Sequence, residues 1–125
     1  MTPAISAAEQ VVARQLAAYN ARDIGAFMAT WTDDAQCFEH PAKPLARGAA
    51  EIRARHVARF KEANLRARLL HRMAVGNIVV DREIVTRTFP EGPGTIDVIA
   101  IYEIADDKIA KAWFVFGEPL LETAK

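Results

Sequence analysis

The hydrophobic pattern of the chain changes its period once, just after Asn64. Before that point apolar residues recur every three or four positions, which is the spacing of amphipathic helices. After it they alternate, which is the spacing of half-buried strands. Helices followed by a run of strands joined by short links are typical of an α+β protein with an antiparallel meander. The sequence therefore predicts the α+β fold class.

Three helices are predicted in the first half. Ser6 and Glu9 have the spacing of a capping box, and the first helix runs from there to about residue 21. Asp23 caps a second, short helix that ends at residues 32–34. A weak strand over 35–40 and a loop at 41–44 precede a third helix over about 49–63. The second helix carries its apolar residues at helical spacing, namely Ile24, Phe27, Met28 and Trp31.

Four strands are predicted in the second half, over residues 65–75, 78–88, 95–104 and 108–117. Gly76 and Asn77 form a tight turn between the first two. Residues 90–94 carry two prolines and two glycines, which predicts a loop without regular structure. Alternation on the last two strands gives an inner row, which consists of Ile96, Val98, Ala100, Tyr102, Ala112, Phe114 and Phe116.

Composition narrows the class of protein. The 125 residues predict one domain over residues 1–125, and the 16 basic and 16 acidic residues cancel. A net charge of zero gives no field that would attract nucleic acid or an anionic membrane. Cys37 is the single cysteine, so no internal disulfide can form. No signal-peptide pattern and no membrane-length apolar run are present, so we expect a cytoplasmic protein.

The order of these elements resembles the nuclear transport factor 2-like superfamily, and within it the SnoaL-like and ketosteroid-isomerase-like proteins. The likeness covers nearly the whole chain. The segments that carry it are Val11–Val12, Tyr19–Asp23, Trp31–Ala35, Glu39–His40–Pro41, Arg47–Gly48, Ile52–Arg53 and Phe116–Gly117–Glu118. The resemblance implies a cone-shaped α+β roll, also called cystatin-like, in which three N-terminal helices pack in a strongly curved antiparallel sheet. It also implies an apolar pocket at the open end, which residues 88–94 could cover, and dimers formed through the outer sheet face.

The fold does not determine the chemistry, so each isomerase position must be compared separately. The tyrosine of the isomerase pattern falls on Gln15, the general-base aspartate on His40, and the second acid of the oxyanion hole on Ala100. Losing one oxyanion donor typically costs about 10²–10³ in rate. The resemblance therefore implies the fold, while these replacements argue against authentic ketosteroid isomerase activity.

Two histidines are the candidate catalytic residues. His40 stands at the base position, and His56 lies on the inward stripe of the third helix between Ile52 and Phe60. With Gln15 they would form a polar cluster at the pocket floor and move a proton next to a carbonyl of a small apolar compound. The alternative is that both are structural residues. Glu39 alternates with His40 and is expected to point the other way.

The remaining candidates are ligand-contacting side chains. They are Gln15, Tyr19, Phe27, Trp31, Phe60, Ala100, Tyr102, Phe114 and Phe116, which could equally be plain core. A non-catalytic binding or accessory protein is the main alternative function. A hydrolase with a positioned water is a weaker one, since it needs paired carboxylates and an arginine in the pocket.

No cofactor and no metal are expected. The spacings of His40, His56 and His71 match no compact ligand motif, although Asp81 and Glu83 share a strand face and could add carboxylates. The arginines of the third helix are interpreted as a solvated face. The outer sheet row is too apolar for free solvent and predicts a homodimer; it consists of Ile99, Ile101, Trp113 and Val115.

Overall fold

Helices come first and strands follow in the computed structural model, which describes residues 5–122. Residues 1–4 and 123–125 of the predicted domain lie outside this range. The described elements are α1 (Ala7–Ala21), α2 (Ile24–Met28), β1 (Trp31–Glu39), β2 (Lys43–Arg47), α3 (Gly48–Arg59), β3 (Arg66–Val75), β4 (Ile78–Phe89), β5 (Gly92–Ala105), β6 (Lys108–Phe116) and β7 (Leu120–Leu121).

Both ends of helix α1 are capped by hydrogen bonds of neighbouring residues. Ser6 accepts a hydrogen bond from the Glu9 backbone, and the Glu9 side chain accepts one from the Ser6 backbone, which confirms the capping box. At the other end Arg22 takes a left-handed conformation with φ of 55°. Its guanidinium donates to three carbonyl oxygens of residues 62–65, and Asn20 makes two hydrogen bonds to the backbone of Ala67. Helix α1 is therefore fixed to the start of β3.

Three element boundaries differ from the prediction. Trp31 begins β1 instead of ending α2, because the backbone at Trp31 pairs with Ile109 and the helix stops at Met28. The predicted loop at 41–44 contains the start of β2, where Pro44 is tolerated because β2 is an edge strand. Helix α3 ends at Arg59 instead of residue 63.

The predicted loop at 90–94 is also wrong in part, since β5 begins at Gly92. Pairing with β4 continues to the register Phe89 to Gly92, so the glycines and proline here are strand residues. Gly94 lies against β7, where an added Cβ atom would stand 2.9 Å from the Cα atom of Leu121. A glycine at this position thus permits close backbone approach and does not mark a loop.

The sheet has the order β2-β1-β6-β5-β4-β3, with β7 added beside β5. Strands β3 to β6 form the predicted antiparallel meander, while β1 pairs with β6 in parallel. The α+β fold class is confirmed, with a curved, unclosed and mixed sheet instead of a wholly antiparallel one. Helices α1 and α3 pack on its inner face and close the core there.

Strand alternation separates the two faces as predicted. On β5 the inward residues Val98, Ala100 and Tyr102 are buried, whereas Ile99 on the outer face is 38% exposed. Val115 on β6 is 40% exposed beside it. Homodimerisation through this face stays a prediction.

No helix among residues 5–122 is long and apolar enough to cross a membrane.

Candidate functional site

A cavity of about 490 Å³ lies between the inner face of the sheet and helices α1 and α3. Most of its wall is apolar, contributed by residues such as Leu16, Val85 and Ile96. Seven of the residues that the sequence singled out line it: Gln15, Tyr19, Trp31, His56, Tyr102, Phe114 and Phe116. Their roles as ligand contacts stay predictions, but the topology brings them to one space.

The other four predicted site residues do not line the cavity. Phe27 is fully buried in the core, with its ring 4.3 Å from that of His56. Phe60 is half-buried and packs edge-on against Phe27 and Tyr19. Ala100 is fully buried under the cavity wall. His40 is exposed, so it does not join Gln15 and His56 in the expected polar cluster.

The strand that carries His40 presents the opposite face to the one expected. Glu39 lines the cavity, and His40 points out of it, because Trp31, Cys37 and Glu39 lie on the inner face of β1. The two neighbours do point in opposite directions, as predicted, but with the faces exchanged. A shift of one residue exchanges the two faces of a strand, and motif spacing alone does not fix it.

Strand β4 carries two buried carboxylates, Asp81 and Glu83. Asp81 is directly opposite Ala100 in the sheet, and Glu83 follows on the same face of the strand. The Asp81 side chain is fully buried and accepts two hydrogen bonds from Arg72, at 2.7 and 2.8 Å. Glu83 is 6% exposed and lines the cavity. Position 100 of β5 thus carries no acid, and two buried carboxylates lie on the adjacent strand β4.

Glu83 has an unusual protonation equilibrium. Burial and the adjacent charge of Asp81 raise the pKa of its carboxyl to about 7, while Arg72 lowers it. Burial, and to a smaller extent the charge of Glu83, raises the pKa of Tyr19 and of Tyr102, which line the same cavity. Glu83 can thus hold or release a proton near neutral pH, which is the property of a general acid–base residue.

His56 is held in its neutral form. Its Nδ1 atom lies 2.8 Å from the carbonyl oxygen of Ile52, so Nδ1 carries the hydrogen and donates it there. Burial against Phe27 and Tyr19, together with the charges of Arg59 and Arg55, lowers the His56 pKa to about 4, although the hydrogen bond to Ile52 opposes this shift. The neutral ring has only Nε2 left, as an acceptor. The sequence had led us to expect that His56 could donate a hydrogen bond to an enolate oxygen. In this geometry its only hydrogen is already donated to Ile52, so it does not do so.

Three further polar side chains surround these groups. Gln15 is buried on α1 and lies beside the Tyr102 hydroxyl, whose pKa burial raises well above its ordinary value. Burial likewise raises the pKa of the Cys37 thiol to about 12 and keeps it protonated. Cys37, Gln15 and Tyr102 thus add neutral polar groups to the lining of the cavity.

Sequence reasoning missed the cationic side of the cavity. Arg55 and Arg59 on α3 line it together with Arg87 on β4, although the arginines of α3 were interpreted as a solvated face. Only Arg53 is exposed as that interpretation requires. The signal was present in the spacing, because Ile52, Arg55 and Arg59 fall at i, i+3 and i+7, on one helix face.

Within residues 5–122, no group of three or more His, Cys, Asp or Glu side chains is arranged to hold a metal ion. Asp81 and Glu83, which were considered above as added ligands, have Arg72 and not a histidine beside them.

Comparison with known families gives a match to the SnoaL-like domain over residues 12–112. The chain belongs to this family. An uncharacterized cystatin-fold protein from Novosphingobium aromaticivorans is similar, with 28% identity and a TM-score of 0.79 over 90% of this chain and 99% of that one. A candidate polyketide cyclase from Sinorhizobium meliloti is 24% identical, with a TM-score of 0.71 over 88% and 99% of the two chains.

The same SnoaL-like fold occurs in TerC co-crystallised with polyporic acid, which is 18% identical with a TM-score of 0.74 over 90% and 92% of the two chains. The predicted superfamily is confirmed by these matches. No functionally curated protein gives a significant sequence match. At these levels of identity the solved structures establish the fold of this SnoaL-like domain.

Proposed function

We propose that this SnoaL-like domain binds a small, mostly apolar cyclic carbonyl compound and that Glu83 moves a proton at the carbon next to the carbonyl. The reaction class is isomerisation or elimination without a cofactor. One observation carries the proposal: a carboxyl on a residue only 6% exposed lines an otherwise mostly apolar cavity of ligand size. Cavities of about 300–1,000 Å³ with few polar groups are the usual form of small-molecule sites.

The electrostatics of the cavity support this role for Glu83. A carboxyl with a pKa of about 7 is partly ionised at neutral pH, where it can accept a proton from carbon and return it to another position. Tyr19 lines the same cavity, and its hydroxyl can donate a hydrogen bond to the enolate oxygen that forms when the proton leaves. Burial raises the Tyr19 pKa, while the charge of Arg59 and its hydrogen bond to Tyr19 oppose this shift, so Arg59 favours negative charge at this place.

The histidines have smaller parts in this proposal than the sequence suggested. His40 is exposed and outside the cavity, so we assign the base to Glu83 instead. His56 is neutral and its one donor is engaged, so its Nε2 atom serves as an acceptor that orients a ligand hydroxyl. The similar structures include a candidate polyketide cyclase and TerC with polyporic acid, which is in keeping with an organic ligand of this kind.

Hydrogen–deuterium exchange tests the proposal with simple ketones, before the natural substrate is identified. We would incubate the protein with small cyclic ketones in D₂O and follow loss of the α-proton by NMR from pD 5 to 9. We expect exchange that rises with pD through the Glu83 titration and falls by about 10²-fold or more in Glu83→Gln. Glu103→Gln, on the outer face of β5, is the matched control and should exchange like the wild type.

Two results would overturn this assignment. Exchange that persists in Glu83→Gln and disappears in Glu39→Gln would move the base to the other cavity carboxylate. Tight binding of a ketone with no exchange in any variant would favour the non-catalytic binding protein. The absence of the oxyanion acid at Ala100 is the observation that favours that alternative.

A hydrolase is a second candidate, because the carboxylates of Glu39 and Glu83 and the guanidinium of Arg55 all line the cavity, and these are the groups that this chemistry needs. Opening of small cyclic epoxides in H₂¹⁸O, followed by mass spectrometry, would test it. Incorporation of one ¹⁸O per diol, lost in Glu83→Gln, would favour hydrolysis over isomerisation. An apolar ligand, action without a cofactor and a cytoplasmic location all stay predictions.

A further inference from the structure

Arg55 stands out among the charged residues of the cavity because it has no counter-ion within residues 5–122. It is half-buried on α3 and lines the cavity. The ion pairs in this described part of the chain join Arg59 and Arg87 to Glu62, Arg72 to Asp81 and Arg82 to Asp97, and none includes Arg55. A guanidinium that is partly removed from water without a partner is costly for the folded protein.

The groups around Arg55 do not supply the missing negative charge. Cys37, which lies near enough to feel the Arg55 charge, keeps its thiol protonated because its pKa is about 12. Arg59 and Arg87 add positive charge on the same side, and burial together with these cations lowers the Arg55 pKa. Their shared partner, Glu62, receives Arg87 at 2.9 Å and Arg59 at 3.7 Å.

This wall of the cavity therefore carries three guanidiniums, and only two of them, those of Arg59 and Arg87, pair with the carboxylate of Glu62. Glu39 and Glu83 also line the cavity, but neither forms an ion pair with a cation of the described residues. This wall of the cavity therefore has an excess of positive charge. The N–H groups of the Arg55 guanidinium contribute to it and form no hydrogen bond within residues 5–122. An anionic ligand group would compensate this charge, and the planar fork of a guanidinium matches a carboxylate with two parallel hydrogen bonds.

We propose that the ligand of this cavity is a cyclic carboxylic acid whose carboxylate binds Arg55 while its apolar ring occupies the space beside Glu83. The inference rests on the proposed function and names its substrate class: a cyclic keto acid in place of a neutral ketone. Arg55 is then the specificity-determining residue. The deficit of negative charge at Arg55 selects acids, and the apolar wall with Val85 and Ile96 selects a ring.

Unreactive probes test this selection independently of turnover. We would measure dissociation constants for 2-naphthoate and for its neutral isostere 2-naphthamide by isothermal titration calorimetry at pH 7.5. The wild type should bind the acid about 10- to 100-fold more tightly, the range for a hydrogen bond to a charged group. Arg55→Gln should abolish this preference. Arg53→Gln, an exposed arginine of the same helix, should keep it.

Arg55→Lys serves as the second variant. Lysine retains the positive charge and a long aliphatic side chain, but it lacks the planar guanidinium that makes two parallel hydrogen bonds. It should keep a reduced preference, between those of the wild type and Arg55→Gln. Equal binding of the two probes by the wild type, failure to bind either at millimolar concentration, or a preference that survives in Arg55→Gln would each overturn the inference.

The two proposals fail in different ways. A lost or absent acid preference with intact hydrogen–deuterium exchange would refute the substrate class and leave the proton-transfer function standing. A preference for the acid that depends on Arg55, without exchange on any ketone or keto acid, would refute proton transfer and keep the anion site.

Discussion

Arg72 and Asp81 face each other across β3 and β4, and the guanidinium makes two hydrogen bonds to the carboxylate at 2.7 and 2.8 Å. The Asp81 side chain is 1% exposed and that of Arg72 15% exposed. The hydrogen bonds to Asp81 raise the Arg72 pKa above its ordinary value, although burial opposes this shift. This ion pair sets the electrostatic environment of Glu83, two residues along the strand.

Removing Arg72 should leave a buried, uncompensated carboxylate. We expect Arg72→Met to lower the free energy of unfolding by about 3–5 kcal/mol, measured by urea denaturation at pH 7. Arg82→Met is the matched control, because its ion pair with Asp97 is about half exposed and worth roughly 0–1 kcal/mol. Equal losses in the two variants would contradict the special position of the buried pair.

Glu83 should make the protein less stable as pH rises. Its pKa is about 7 in the folded chain, against an ordinary value of about 4.3 when unfolded, so the folded state holds the proton longer. Stability is then lost between about pH 4.5 and 7, by roughly 3 kcal/mol in total. The stability gained by Glu83→Gln over the wild type should grow by that amount from pH 5 to 8. A difference that does not change with pH would contradict the assignment, and Glu103→Gln supplies the flat reference curve.

His56 should act in the opposite direction. Its pKa is about 4 in the folded chain, against an ordinary value of about 6.5, so the unfolded state takes up the proton first as pH falls. Its contribution is present above pH 6.5 and is lost towards pH 4, by roughly 3 kcal/mol. Replacing it by Gln should flatten this acid limb in denaturation curves at successive pH values. His71→Gln, at an exposed position, should leave the limb unchanged.

The outer face of the sheet gives a prediction about assembly. Ile99 and Val115 are adjacent across β5 and β6 and each is more than a third exposed, with Trp113 nearby. We expect a homodimer through this face, because covering such a patch removes apolar surface from water. Sedimentation velocity at micromolar concentration should show a dimer that Val115→Lys converts to a monomer with an unchanged circular dichroism spectrum. A monomeric wild type would contradict the prediction.

Local rules succeeded where neighbouring residues decide the structure. The capping box at Ser6, the turn at Gly76 and the inward row of β5 all follow from short-range spacing. They failed where a distant strand decides. Trp31 continues a helical pattern but pairs with Ile109, and Gly94 has the sequence context of a loop residue but packs against Leu121.

The candidate site was only partly predictable for the same reason. Glu83 was recognised as sharing a strand face with Asp81, but its pKa depends on burial and on the charge of that neighbour, which no spacing reveals. His40 and Glu39 were assigned to the wrong faces because motif position does not fix the strand parity. Arg55 faces the cavity because α3 is oriented by its packing on β1 and β2, a tertiary effect.

The parallel pairing of β1 with β6 has a consequence for how the chain folds. Trp31 pairs with Ile109, so β1 cannot take its place in the sheet until β6 has been synthesised. Until β6 is available, the apolar inner side of β1 and the faces of α1 and α3 lack their final partner. Contacts between residues so distant along the chain slow folding, and they lengthen the time for which apolar surface is exposed to solvent. A newly synthesised chain therefore stays prone to aggregation until its C-terminal third is available to pair with β1 and cover the apolar surface.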